Sequence, residues 1–187
     1  MVTARTDEIT GAGVSTGATV PTGTSVTARQ VAETVTDPEL PMLTLADLGV
    51  LREVTETADG VTVSITPTYS GCPAMDTMRD DLVHALHEAG FGEVEVRTVL
   101  HPPWSTDWIT ERGRRRLAEA GIAPPGAAPR RGSGPVPVQL FPPQRRVSCP
   151  HCGAADTEPV SEFGPTACKA LRRCPACSEP FEHVKEI

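Results

Sequence analysis

Aromatic side chains are scarce: the chain has four Phe, one Tyr and two Trp in 187 residues. Its core must therefore be built from Val, Leu, Ile, Met and Ala. A hydrophobic fraction of 39% suffices for one ordinary domain, or for a small domain plus a metal-stapled module. No apolar run approaches the roughly 20 residues that span a bilayer. Residues 1–30 also lack the apolar segment of a secretory leader. These two absences predict a cytoplasmic protein with no membrane partner. An excess of positive charge is missing as well. Residues 1–100 carry five basic and fifteen acidic side chains, and residues 101–187 carry twelve and nine. The first part repels nucleic acid and the second is too weakly basic to bind it, so nucleic acid is excluded as a partner. In a reducing compartment the six cysteines read as metal ligands or reactive thiols rather than disulfides.

Residues 1–25 are rich in Thr and Gly and bury too little apolar surface to offset the entropy of ordering, so a disordered tail is expected there. Residues 26–122 read as a domain. A short helix is expected over 27–34, stopped by Asp37-Pro38 because a residue before Pro is pushed out of the α region. Strands are expected over 48–54 and 61–66, with Asp59-Gly60 as the hairpin signal between them. A helix follows from Pro73 to Ala89, because Met75, Met78, Leu82, Leu86 and Ala89 recur at steps of three and four and Gly90 stops it. Val94, Val96 and Thr98 or Val99 mark a third strand, and a second amphipathic helix runs over 107–120 up to Gly121. The order predicts an α+β fold, a small mixed sheet covered by helices. Residues 123–146 hold seven Pro and three Gly, with arginine pairs Arg130/Arg131 and Arg145/Arg146, and read as a semi-extended linker. Its apolar stretch 136–141 is a candidate for docking on one of the domains.

Residues 147–187 read as a zinc ribbon. Cys149-Pro150-His151-Cys152-Gly153 and Cys174-Pro175-Ala176-Cys177 are two Cys-x-x-Cys turns separated by 21 residues. Each turn aims two thiolates at one ion, and four thiolates close a tetrahedral structural site for Zn²⁺. Forty residues with few large apolar side chains make no core without the metal. Cys168 is a fifth cysteine competing for four positions. It is either a small residue packed in the ribbon, or an additional ligand that exchanges with the others or serves an iron–sulfur site, since four thiolates also suit iron. His151 is expected to face solvent, and His183 is a weak ligand candidate.

Cys72 stands alone in the first domain, directly before Pro73 at the entry to the amphipathic helix. Free N–H groups and the helix dipole are expected there to stabilise a thiolate, able to ligate a soft metal, carry a cluster transiently or attack an electrophile. The plain alternative is a cysteine packed at a helix cap. Asp37 and Glu39 flank Pro38 and either terminate the first helix or form a carboxylate patch near Cys72. Asp76 lies one turn beyond Cys72 and fits a first-turn acid that complements the dipole. Arg112, Arg114, Arg115 and Arg116 read as a solvated helix face or a receiver for an acidic partner. Trp104 and Trp108 read as packing anchors. No base stands near Cys72 in sequence, so an enzymatic nucleophile is disfavoured.

Several stretches together carry a resemblance. Asp37-Pro38-Glu39-Leu40-Pro41, Asp47-Leu48-Gly49-Val50, Thr66-Pro67-Thr68-Tyr69-Ser70-Gly71-Cys72-Pro73-Ala74-Met75-Asp76 and Pro102-Pro103-Trp104-Ser105-Thr106-Asp107-Trp108 resemble the PaaD (PaaJ) family. So do Ser161-Glu162-Phe163-Gly164, Ala167-Cys168-Lys169-Ala170 and the two cysteine pairs. That family serves the phenylacetyl-CoA oxygenase (1,2-epoxidase) system of aerobic phenylacetate degradation. The first domain alone resembles the SufT-like iron–sulfur assembly family, whose marks are the Asp-Pro-Glu segment and the cysteine at position 72. The resemblance implies a non-catalytic accessory protein that matures or loads the cluster of the iron–sulfur and flavin reductase subunit. In that reading Cys72, with Asp37, Glu39 and Asp76, holds a transient iron–sulfur cluster or iron, within one chain or shared between the protomers of a homodimer, and the ribbon docks on the client. A structural or adaptor subunit without cluster chemistry is the alternative.

Overall fold

A computed structural model describes residues 26–128 and 146–187. The expected tail, and the linker's arginine pairs apart from Arg146 with its stretch 136–141, lie outside the described residues. Helix α1 (Ala28–Ala32) is opened by a capping box in which the Thr27 hydroxyl accepts from Gln30 N–H and the Gln30 side chain accepts from Thr27 N–H. Strand β1 (Leu51–Thr57) pairs antiparallel with β2 (Gly60–Ile65), and β2 pairs parallel with β3 (Val94–Thr98), which makes a three-stranded mixed sheet in the order β1-β2-β3. Along β2, Val61, Val63 and Ile65 are buried and alternate with half-buried Thr62 and Ser64, the period-two pattern of a strand with one core face. Helix α2 (Met75–Glu88) lays Met78, Leu82 and Leu86 onto the same core. Burying side chains of this size contributes about 1.5–3 kcal/mol each, so this apolar stripe, not helix propensity, fixes α2.

Three expectations shift. The first strand starts at Leu51 rather than 48, because Asp47, Leu48 and Gly49 form a turn in which Gly49 adopts φ +69°. The hairpin turn falls on Ala58 and Asp59, with Gly60 already paired to Thr57. The helix expected over 107–120 is two pieces: a single 3-10 turn (Thr106–Trp108) and helix α3 (Glu111–Glu119). Thr110 separates them, since its hydroxyl accepts from Gly113 N–H at 3.0 Å and caps α3.

The second sheet does not begin after the linker. Strand β4 (Ile122–Ala123), directly after α3, pairs parallel with β7 (Pro180–Val184). Strands β5 (Glu158–Ser161) and β6 (Lys169–Arg173) complete the order β4-β7-β6-β5. Val184 belongs to the core of the first domain, and Ile187 packs against that core. Thr106 N–H donates to the Ile187 carbonyl at 3.1 Å. The ribbon is thus pinned to the first domain along β4, and the two share a wall.

Candidate metal and thiol sites

The two cysteine turns converge as their spacing predicts. The sulfurs of Cys149, Cys152, Cys174 and Cys177 all lie within 4.8 Å of one another. Cys149 Sγ is 3.7 Å from Cys177 Sγ, and Cys152 Sγ is 3.5 Å from Cys174 Sγ. A Zn–S bond of about 2.3 Å in a tetrahedron separates sulfurs by about 3.8 Å, so the donor set fits a tetrathiolate ion. Within the second turn the Cys177 N–H and the thiols of Cys152 and Cys177 hold the Cys174 thiol down at about 7, while burial and the neighbouring sulfurs push Cys177 up to about 12, so the four crowded thiols ionise unequally. Gly153 takes φ +77°, letting its N–H return to the Cys149 carbonyl at 2.9 Å. His151 is exposed, as expected, but its ring also abuts the first domain: a Cβ on Gly121 would stand 2.9 Å from His151 Cε1. His183 is buried with Nε2 3.7 Å from Glu186 and is no part of the thiol group.

Cys168 stands apart from those four. It lies with Cys72, Asp37, Glu39 and Tyr69 on one cavity of about 30 Å³ between the ribbon and the first domain. Leu48, Trp104, Ile109 and Val184 close its apolar sides. Asp37 is buried, and its Oδ1 accepts from the N–H groups of Glu39 and Leu40, both at 2.8 Å. Helix α1 already ends at Ala32, so the Asp-Pro-Glu turn is not its stop; Asp37 and Glu39 line the cavity. Cys72 is half-buried, and its N–H donates to the Tyr69 carbonyl at 3.3 Å. Asp76 does not reach the cavity: its exposed carboxylate pairs with Arg79 at 2.7 Å.

The expectation of a stabilised Cys72 thiolate is overturned. Burial pushes the Cys72 thiol up, and Asp37, Glu39 and Cys168 push it further, while only the Ala74 N–H opposes them. The helix dipole helps little because α2 starts at Met75, three residues on. Burial likewise raises Asp37, against the N–H groups that hold it, and raises Cys168 with help from Glu39. Tyr69 is raised by burial and then by Cys72, Cys168 and Glu39. Four neighbouring acids are thus held toward their protonated forms by a common negative, water-poor surrounding.

One support of this cavity, Asp47, carries no role in the sequence reading. Asp47 is fully buried and receives Arg112 Nε at 2.7 Å and the Thr110 hydroxyl at 2.9 Å. Burial alone would raise Asp47, but Arg112, Thr110 and the Thr44 N–H reverse this and hold it below the usual carboxylate value. Beside it, Trp104 Nε1 donates to the Leu48 carbonyl at 2.9 Å, and Arg52 lies 3.7 Å over the Trp108 ring. An acid inside an apolar segment, facing an arginine-rich helix, was the available signal for Asp47. Arg112, Arg115 and Arg116 are exposed, as expected of a solvated helix face, while Arg114 donates to the Pro125 and Thr106 carbonyls and Arg116 to the Met42 carbonyl.

Comparison with known proteins matches both halves. A family of iron–sulfur cluster assembly proteins matches residues 27–98, and the PaaD zinc beta ribbon domain matches residues 133–185. The chain is 44% identical over 153 residues to a protein of Escherichia coli named as one of the subunits of 1,2-phenylacetyl-CoA epoxidase, covering 82% of this chain and 87% of that protein. It is 35% identical over 86 residues to an Fe-S protein maturation auxiliary factor of Porphyromonas gingivalis, covering 45% and 81%. A crystal structure of a DUF59 domain of unknown function from Bacillus anthracis is similar at 28% identity and TM-score 0.45, covering 48% of this chain and 87% of that one.

Proposed function

We propose, from the premise that this chain belongs to the PaaD family, that it is a non-catalytic assembly factor in phenylacetate catabolism. It matures or loads the iron–sulfur cluster of the reductase that serves the phenylacetyl-CoA epoxidase, with Cys72 as the transient ligand of iron or cluster. The observation that carries this reading is the position of Cys72. It lies in the segment that matches iron–sulfur assembly proteins and faces a cavity that also holds Asp37 and Glu39 of that segment. A protonated thiol in such surroundings is a poor nucleophile, and among the described residues no histidine lines the cavity to activate it. The same thiol becomes a strong ligand once a cation displaces its proton. Handling a metal cargo therefore suits the site better than covalent catalysis. The four-thiolate ribbon holds Zn²⁺ as a structural ion that shapes the wall of the cavity.

The test is a Cys72→Ala variant in cells carrying the epoxidase system. It should fold, keep its zinc, and leave the reductase short of iron and sulfide. A fully loaded reductase in that background would sink the reading.

A second reading, an adaptor protein without cluster chemistry, draws on Phe163, which is 70% exposed on the ribbon with Lys185 Nζ 4.6 Å from its ring. Stoichiometric co-purification with the catalytic subunits, lost in Phe163→Ser, would favour that role.

A further inference from the structure

We propose that β3 is the edge by which two copies of this chain join. The two strands run antiparallel about a two-fold axis at Val96. Glu95 of each copy then faces Arg97 of the other, and one sheet passes through both first domains. The proposal names the surface of a homodimer and does not depend on the reading of Cys72.

The backbone sets the edge. Strand β3 is the last in the order β1-β2-β3, and among the described residues no strand pairs with its outer side. Val61 N–H donates to the Glu93 carbonyl and Val99 N–H to the Ile65 carbonyl, both at 2.8 Å. Glu93, Glu95, Arg97 and Val99 therefore turn their backbone groups toward β2, and strand alternation turns those of Val94, Val96 and Thr98 outward. With the axis at Val96, that residue meets its own copy and Val94 meets Thr98. Every outward N–H and C=O of the strand then finds a partner.

Charge selects a second copy as the occupant. Residues 91–100 contain no Lys and no Pro, the residues that commonly blunt an edge. Arg79 of α2 donates to the Thr98 hydroxyl at 3.4 Å, so Glu95 and Arg97 lie on the opposite, open face of the sheet. They are exposed and pair with each other along the strand at 2.6 Å. Across the axis each carboxylate gains the other copy's guanidinium. Sliding the axis to Glu95 or to Arg97 sets like charges face to face, which destabilises that register. Leu100, 67% exposed, stands two residues past the end of the strand, beside the start of the other copy's strand, and gains cover there. Stable interfaces bury roughly 1,200–2,000 Å². Strands of five residues supply less, so the dimer is weak and forms at high protein concentration.

The axis also separates the two thiol sites. The contact of Arg79 with Thr98 places the Cys72 end of α2 over the C-terminal end of β3. Antiparallel pairing sends those ends in opposite directions, so each chain keeps its own Cys72 site instead of sharing one across the axis.

The full chain with zinc in its ribbon is followed by sedimentation velocity from micromolar to millimolar concentration at low salt. A reversible monomer–dimer equilibrium is expected. Glu95→Arg and Arg97→Glu should each weaken the dimer about 10-fold. Mixed in equal amounts, the two variants should pair with one another, because every facing pair again has opposite charge. The amides of Val94, Val96 and Thr98 should exchange more slowly in concentrated than in dilute protein, read by NMR. A chain that stays monomeric throughout overturns the proposal. So does a dimer that Glu95→Arg leaves intact, or a mixture of the two variants that does not pair. Equal protection of the Val96 amide at both concentrations overturns it too, since the edge is then covered by another segment of the same chain or unused by the dimer.

Discussion

Asp47, fully buried, accepts a hydrogen bond at 2.7 Å from Arg112, whose side chain is half exposed. The pair ties the turn before β1 to the start of α3, and both elements wall the Cys72 cavity through Leu48 and Ile109. Arg112→Ala leaves a buried carboxylate with Thr110, the Thr44 N–H and Arg116, whose Nη1 lies 3.9 Å from Oδ2. The variant should be less stable, but by less than for a fully enclosed pair, because the guanidinium meets water and Arg116 stays within reach of the carboxylate. Because Asp47 is held below its ordinary value of 3.8, the contribution is present in full above that pH and is lost as pH falls through the lowered value. Urea unfolding at pH 7 and at pH 3 should therefore show the variant's deficit shrinking in acid.

Gly49 sits in the same turn at φ +69°, where a Cβ would stand 2.6 Å from Trp108 Cβ. Gly49→Ala meets both a strained backbone and a steric block. The strain alone costs about 1–3 kcal/mol. A lowered midpoint of thermal unfolding, with altered Trp fluorescence in the folded baseline, is the expected result.

Removal of the ribbon metal should be felt at Cys72. Val184, Cys168 and Ile187 form one wall of its cavity, and all three depend on a ribbon with little core of its own. A strong chelator should speed alkylation of Cys72 by a small thiol reagent, timed by mass spectrometry, and restored zinc should slow it again. Unchanged Cys72 kinetics in demetallated protein would show that the wall stands without the ion.

Glu186 carries a distinct acid response. Burial opposes its ionisation, but His183 and the Gly126 N–H outweigh this and hold it at about 2. Its folded value lies below the ordinary 4.5, so its contribution is complete above pH 4.5 and disappears between there and about pH 2. Glu186→Gln should flatten stability against pH within that window, which denaturant midpoints measured at half-unit steps will show.

Much of this was legible from residue pattern. Alternation in β2 and the stripe on α2 needed only local chemistry, and the four ribbon ligands followed from two Cys-x-x-Cys turns. Cys168 was undecidable in sequence because its neighbour is brought by the β4–β7 pairing, a long-range event. The raised Cys72 thiol was missed for a related reason. Its place before a helix suggested a helpful dipole, whereas burial and the Asp-Pro-Glu turn, distant in sequence, decide the matter. Strand β4 straddles the expected boundary between the first domain and the linker, and its two residues carry no period to read.

The parallel pairing of β4 with β7 also sets an order of events during synthesis. Cys72 leaves the ribosome well before the segment that will cover it, and roughly a hundred residues take about 5–20 s to add. Through that interval the sheet of the first domain can form while its thiol stays open to whatever reagent the cell supplies. Closure comes last, so a nascent chain is the form of this protein whose Cys72 thiol is most exposed to oxidation, and ribbon folding marks the moment that thiol becomes private.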